Sequence, residues 1–188
     1  MPDLLDNPWL GLALWGLSYL ADYYLTLYSA RLYRDGGQAH FAFEGSLELT
    51  PYYQRDIDAL RRVSLRFIFA LLGAALLIEI IWYLANGVAG VPALFEFAIG
   101  GMVLREAAVL LRHARNIALF RSIRSGRAPT GQVFYPRRLS LSLSAAELLS
   151  FAALFAALGL LLGSWFLAGG AFACAVTSFQ HWRRARRA

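Results

Sequence analysis

The chain has 188 residues, 59% of them hydrophobic and only 16% charged, against about 25% charged in an ordinary soluble domain. A water-soluble domain of this length needs more polar surface around its core, so the composition argues against that class and for a bilayer as solvent. The net charge is +6 and all 18 basic residues are arginine. A strongly basic chain can be a nucleic-acid binder, but these arginines flank apolar segments, as the positive-inside rule describes, and nucleic acid is set aside as a partner.

The opening Met1-Pro-Asp-Leu-Leu-Asp6 is acidic and lacks the basic n-region of a cleavable signal peptide, so the first apolar segment is expected to be retained. A spanning helix needs roughly 20 mostly apolar residues. The first such run covers residues 8–28, and Asp35-Gly36-Gly37 marks the turn after it. Thr50-Pro51 reads as N-cap and first helical residue. No breaker intervenes before Ala85, so one helix is predicted from 51 onward, crossing the membrane over 66–85. The third begins at Pro92, crosses to 111, and continues through Arg121 until Ser125-Gly126-Arg127-Ala128-Pro129 stops it.

Beyond the Thr130-Gly131 turn, Leu139-Ser-Leu-Ser-Leu-Ser144 alternates like a strand. An isolated strand beside a bilayer would leave its backbone unpaired, and an interfacial lead-in to the fourth helix is expected instead. From Ser144 to Trp182 the chain is almost wholly apolar, about twice one span, and is predicted to fold back at Gly163-Ser164, giving spans 145–162 and 165–182. Small residues spaced by four, Ala152, Ala156, Gly159 and Gly163, then Gly169 and Ala173, favour close helix packing there.

Charge alternates along this division. The N-terminus carries Asp3 and Asp6, the 86–91 turn and Gly163 are uncharged, and the segments 31–62 and 112–144 and the tail from Arg183 carry the arginines. Trp9, Trp82, Tyr83 and Trp165 fall at one set of helix ends, Tyr28 and Trp182 at the other, as interfacial anchors do. The expected fold is an all-α polytopic transmembrane bundle in a single domain, 1–188. It has about five spans, an outer N-terminus, an inner C-terminus, and cytoplasmic extensions of the second and third helices. The exclusive use of arginine points to a bacterium, and hence to a multi-pass protein of its inner membrane.

Ionisable residues inside spans are costly and usually functional. Glu79 and Glu96 are expected nearly level across the 86–91 turn, a pair able to share a proton or cation. Asp22, Arg105, Glu106 and His113 occupy the inner part of the first and third helices. Glu106 and His113, seven apart, project within about 20° of each other and form a proton-relay stripe. An Arg105–Asp22 ion pair is the structural alternative for the same layer. Ser144-Ala-Ala-Glu147 matches a capping box. Arg112, Arg115, Arg121 and Arg124 suit anionic phospholipid or a partner protein.

His40, Glu44 and Glu48 could be oxygen and nitrogen metal ligands, but no second histidine pair follows and no metal is expected. Gly-x-Ser-x-Gly, His-Glu-x-x-His and phosphate-binding Gly-Lys patterns are missing from the sequence, so no catalytic residue or cofactor is assigned. The lone Cys174 allows no internal disulfide. The pair Asp22-Tyr-Tyr-Leu-Thr26 and Glu48-Leu-Thr-Pro51 resembles small bacterial membrane proteins, over a short part of the chain and with no activity implied. The functional expectation is a homo-oligomeric channel or transporter for protons or small cations that uses its intramembrane carboxylates. A non-catalytic assembly or binding subunit is the alternative, and an interface enzyme acting on lipid headgroups comes third.

Overall fold

The computed structural model describes residues 7–45, 48–126 and 130–188. The acidic residues Asp3 and Asp6 and the Arg127-Ala128-Pro129 part of the predicted helix stop lie outside the described residues. Helix α1 (Pro8–Arg34) opens with proline in its first turn and the Asn7 side chain accepting from the Trp9 N–H at 2.9 Å. A short strand, β1 (Phe41–Phe43), follows, then α2 (Pro51–Asp58), α3 (Leu65–Trp82) with a wide π turn over Tyr83–Val88, and α4 (Pro92–Arg124). Strand β2 (Val133–Tyr135), α5 (Arg137–Leu162) and α6 (Trp165–Ala185) complete the chain.

The molecule is predominantly helical. Helix α4 is central, packed against α1 on one side and α6 on the other, while α5 packs on α6. The α4–α6 crossing is a backbone contact: a Cβ on Gly169 would lie 1.8 Å from the Phe97 carbonyl oxygen, and one on Gly100 would lie 2.1 Å from that of Phe166. The small-residue pattern of α6 thus serves α4 as well as its hairpin partner α5. Gly163, with φ 62°, ends α5 in the left-handed conformation, and Ser164 caps α6 by accepting from the Leu167 N–H.

Two segments, Leu65–Val88 and Arg137–Leu162, are long and apolar enough to cross a membrane. Helices α1, α4 and α6 are at least as long as one crossing, but polar residues on their inward faces lower their hydropathy. Apolar length therefore identifies two spans, not the five expected. Large apolar side chains cover the outward faces, among them Phe69 (70% exposed), Leu72, Leu76, Leu160 (87%) and Leu161.

Three local expectations are corrected. The helix predicted to run unbroken from 51 is two helices. Leu60 adopts a positive φ of 50°, and the buried Asp56 accepts from Ser64 Oγ at 2.6 Å and Arg61 Nη1 at 3.1 Å. Asp56 thus organises a turn that a breaker search cannot see. Ser64 then caps α3 through the Phe67 N–H. The alternating 139–144 segment is helical, because α5 already starts at Arg137, where the Glu44 carboxylate accepts from its N–H at 2.9 Å. Ser144 and Glu147 consequently sit in the helix interior, where a capping box has no free N–H to satisfy.

The strands were not anticipated. β1 and β2 pair in parallel, Phe41 with Val133, Ala42 with Phe134 and Phe43 with Tyr135. This ladder joins the two arginine-bearing loops at one end of the bundle and caps an aromatic cluster that includes Tyr33, Phe41, Phe120 and Tyr135.

Candidate functional site

Beneath the ladder lies a cavity of about 650 Å³, bounded by α1, α4, α5, α6 and the loop before α2. It reaches from the exposed Thr50, Arg115 and Leu143 down to Tyr19 and Arg105. Below Tyr19 the interior turns apolar: Trp15, Ile78, Ala85, Phe95 and Ile99 pack together. Trp15 stacks on Tyr19, ring centres 5.1 Å apart, and Tyr19 on Phe67 at 4.9 Å. The Tyr19 hydroxyl hydrogen-bonds that of Tyr53 at the cavity edge. Burial pushes the Tyr53 phenol above its ordinary range, so it stays protonated and available as a donor.

One wall is acidic. Asp22 of α1 places Oδ1 2.7 Å from His113 Nε2 of α4, and Thr26 Oγ1 lies 3.0 Å from the same nitrogen. Thr26 spends its own hydrogen on the Asp22 carbonyl at 2.8 Å, so its oxygen accepts from His113. A nucleophilic triad needs hydroxyl and carboxylate on opposite ring nitrogens, whereas here both crowd one. The arrangement is an acid–base dyad with a hydroxyl clamp. Asp22 Oδ1 is buried, and its close contact with His113 lacks hydrogen-bond geometry.

Glu48 joins this wall from the loop, its Oε1 accepting from the Thr50 N–H at 2.6 Å. Burial, reinforced by the Asp22 charge, raises its carboxyl above the usual carboxylate range, although the Thr50 N–H and His113 oppose the shift. Glu106, only 1% exposed, is paired with Arg105.

The opposite wall is basic. Arg112 donates from Nε to Glu147 Oε2 at 2.7 Å, and Arg115 from Nη1 to Oε1 at 3.2 Å. Arg112 Nη2 is buried with no acceptor among the described residues. Ser144 hydrogen-bonds His181 Nδ1 at 2.7 Å beside it.

Most residues singled out in the sequence converge here. Asp22, Arg105, Glu106, Arg112, His113 and Arg115 all line this cavity. The expected Arg105–Asp22 ion pair is replaced: Arg105 turns to its neighbour Glu106, the more deeply buried carboxylate, and Asp22 to His113. Glu147 is the shared acceptor of two arginines instead of a cap. Arg121 donates to the Tyr28 hydroxyl at 3.0 Å, and Arg124 is exposed.

Glu79 and Glu96 do not line the cavity, and Glu79 Oε1 is buried without a hydrogen bond among the described residues. Glu48 and His181 were missed as wall residues, although the Glu48-Leu-Thr-Pro51 pairing with Asp22-Tyr-Tyr-Leu-Thr26 was visible. Among the described residues no group of three or more His, Cys, Asp or Glu is arranged to hold a metal ion. Comparison with family models, curated proteins and solved structures finds no match for the chain.

Proposed function

We propose that the chain is a multi-pass transporter of the bacterial inner membrane, with five crossing helices, that exchanges protons or a small cation through its charged cavity. The carrying observation is the Asp22–His113 contact of 2.7 Å, in a chamber shared with Glu48 and Glu106. An imidazole held against a carboxylate is suited to passing protons, and a cluster of acids attracts cations. The apolar packing around Trp15, Phe95 and Ile99 backs the chamber, which favours a transporter resting open to one side over a continuous pore.

The orientation follows from charge. In an up-and-down bundle, every described arginine except Arg105 falls toward the end that carries the β1–β2 ladder, which is the cytoplasmic end by the positive-inside rule. Reporters fused at Met1 and after Ala188 should read periplasmic and cytoplasmic respectively. Both on one side would remove the five-span topology.

The activity is tested with purified full-length protein in proteoliposomes under an imposed proton or potassium gradient. Wild type should dissipate one gradient, and Asp22→Asn and His113→Gln should each lower that flux at least tenfold with the protein still monodisperse. Glu79→Gln and Glu96→Gln should leave flux within about twofold. Loss of flux in the latter pair alone would return the site to the opposite end of the bundle.

A further inference from the structure

The chamber is charged toward its floor and apolar toward its mouth, and the change takes place within one helical turn. Arg115 of α4 lines the mouth with its side chain 66% exposed. Leu119, four residues further along α4, shares its face about 6 Å beyond it. On α5, Leu143 stands one turn nearer the ladder end than Glu147, on the same face. Leu119 and Leu143 both line the chamber, yet they are 43% and 52% exposed. Phe41, Phe43 and Tyr135 of the ladder line it beside them, with Phe120 of α4. The Phe41 ring centre lies 6.1 Å from that of Tyr135 and 6.4 Å from that of Phe120.

Counted over the whole chamber, the charges nearly cancel. The carboxyls of Asp22, Glu48, Glu106 and Glu147 share it with the guanidinia of Arg105, Arg112 and Arg115 and the imidazoles of His113 and His181. Any preference for charge is therefore local. Asp22 meets His113 at 2.7 Å, and Glu106 meets Arg105. Burial raises the Glu48 carboxyl, which reduces the negative charge it contributes. At Glu147 two guanidinia share one carboxylate, Arg112 through Nε at 2.7 Å and Arg115 through Nη1 at 3.2 Å. Arg115 gives no other hydrogen bond to protein among the described residues, so it carries the surplus positive charge at the mouth.

A bare anion would answer this guanidinium and leave Leu119 and Leu143 in water, and a neutral apolar molecule would do the reverse. One surplus charge calls for a monoanion. A carboxylate matches the guanidinium fork through directed N–H donors, whereas a phosphate monoester brings more charge than the site answers. We infer that the chamber mouth binds an organic carboxylate with an apolar body, its carboxylate on Arg115 and its body against Leu119, Leu143 and the aromatic roof. The volume of about 650 Å³ lies within the range of small-ligand sites and exceeds what a bare ion requires. Such a ligand comes either from solution, as an aromatic acid, or from the adjoining leaflet, as a fatty acid. The inference goes beyond the proposed function: the chamber is the same, but the Asp22–His113 contact is not used and nothing need cross the membrane.

The test is equilibrium dialysis of purified full-length protein in detergent at pH 7, with no gradient and with protein-free micelles as the blank. The probes are 3-phenylpropanoate, octanoate, acetate and 3-phenylpropylammonium. At least one of the two apolar acids should bind tenfold or more tightly than acetate and than the ammonium compound, the scale expected for one charged hydrogen bond. Arg115→Gln should weaken that acid about tenfold, while the Arg112–Glu147 contact still joins α4 to α5. Leu143→Ala should weaken it about threefold and leave acetate unchanged.

Binding of 3-phenylpropanoate, alone or with octanoate, would make the ligand an acid taken from solution. Binding of octanoate alone would make it a fatty acid, and either result supports the inference. If neither apolar acid binds more tightly than acetate and the ammonium compound, the inference is overturned from wild type alone, independent of whether a variant folds. Unchanged affinity in Arg115→Gln overturns it as well. Carboxylate binding without any flux would retain this inference and sink the transport reading; flux without carboxylate binding would do the reverse.

Discussion

The acids of the molecule fall into two groups that the same rule of cost would treat alike. Toward the ladder end, Asp22, Glu106 and Glu147 each meet a named base on another residue, and with Glu48 they line one chamber. Toward the other end, Glu79 and Glu96 are half-buried outside it, and Glu79 keeps an oxygen without a hydrogen bond among the described residues. The difference lies in how many elements converge. Four helices and a loop converge on the first group and α4 supplies its bases, whereas the second sits on α3 and α4 beside an apolar cluster. A carboxylate in an apolar segment is thus a site only where the fold brings it a counter-charge and space.

The largest effect should come from unpairing the deepest acid of the first group. Glu106→Ala leaves Arg105 without its carboxylate; a fully buried orphan would cost about 3–5 kcal/mol. The Arg105 side chain is 39% exposed, so about 2 kcal/mol is expected after solvent screening. Thermal unfolding in detergent should show a fall of several degrees. Glu79→Leu, by contrast, removes a buried acceptor that has no hydrogen bond, and should be neutral or stabilising. If Glu79→Leu lowers the midpoint as far as Glu106→Ala, the two regions are not different.

A smaller effect separates two roles for Glu147. A capping box accepts glutamine in place of glutamate, but the two arginines that share this carboxylate need its charge. Glu147→Gln should therefore lower stability by about 1 kcal/mol, and high salt should shrink the difference. Wild-type stability at low salt would restore the capping role.

The smallest effect belongs to Glu48. Its carboxyl is raised in the folded protein relative to an ordinary value of 4.5, so the folded state prefers the protonated form. That preference supports folding below the ordinary carboxyl range and is lost as pH rises through the folded value. Glu48→Gln keeps an oxygen for the Thr50 N–H and removes the desolvated charge. The variant should be slightly more stable than wild type at pH 7, with the gap closing below about pH 4.5. A gap that widens on acidification would reverse the sign and place Glu48 in a favourable ion pair.

What the sequence made legible follows from which forces are local. Pro8, Pro92 and the Gly163-Ser164 turn mark helix ends through backbone chemistry within a few residues, and helices begin or end there. The seven-residue spacing of Glu106 and His113 placed both on the face that became the chamber wall. The break after Asp58 was hidden because its cause, a buried Asp56 bound to Ser64, is a side-chain contact over eight residues. The ladder was hidden for a stronger version of the same reason. Neither three-residue strand has a period long enough to read, and each exists only because the other reaches it. Partner choice at Arg105 likewise depended on relative burial of two acids, which spacing does not reveal.

The parallel pairing of Phe41–Phe43 with Val133–Tyr135 also sets an order of assembly. Its partners are separated by the whole of α2, α3 and α4, so the ladder has high contact order and cannot form until those helices have left the ribosome and met α1. Once it forms, α5 starts two residues beyond Tyr135, its first N–H already held by Glu44. The roof of the chamber therefore takes its pairing from segments that precede its last walls, α5 and α6, in the chain. In a chain truncated after Tyr135, α1, α4 and the ladder would form an open half-shell containing Asp22 and His113 but lacking Glu147 and His181. The final hairpin is the part that converts that half-shell into an enclosed chamber.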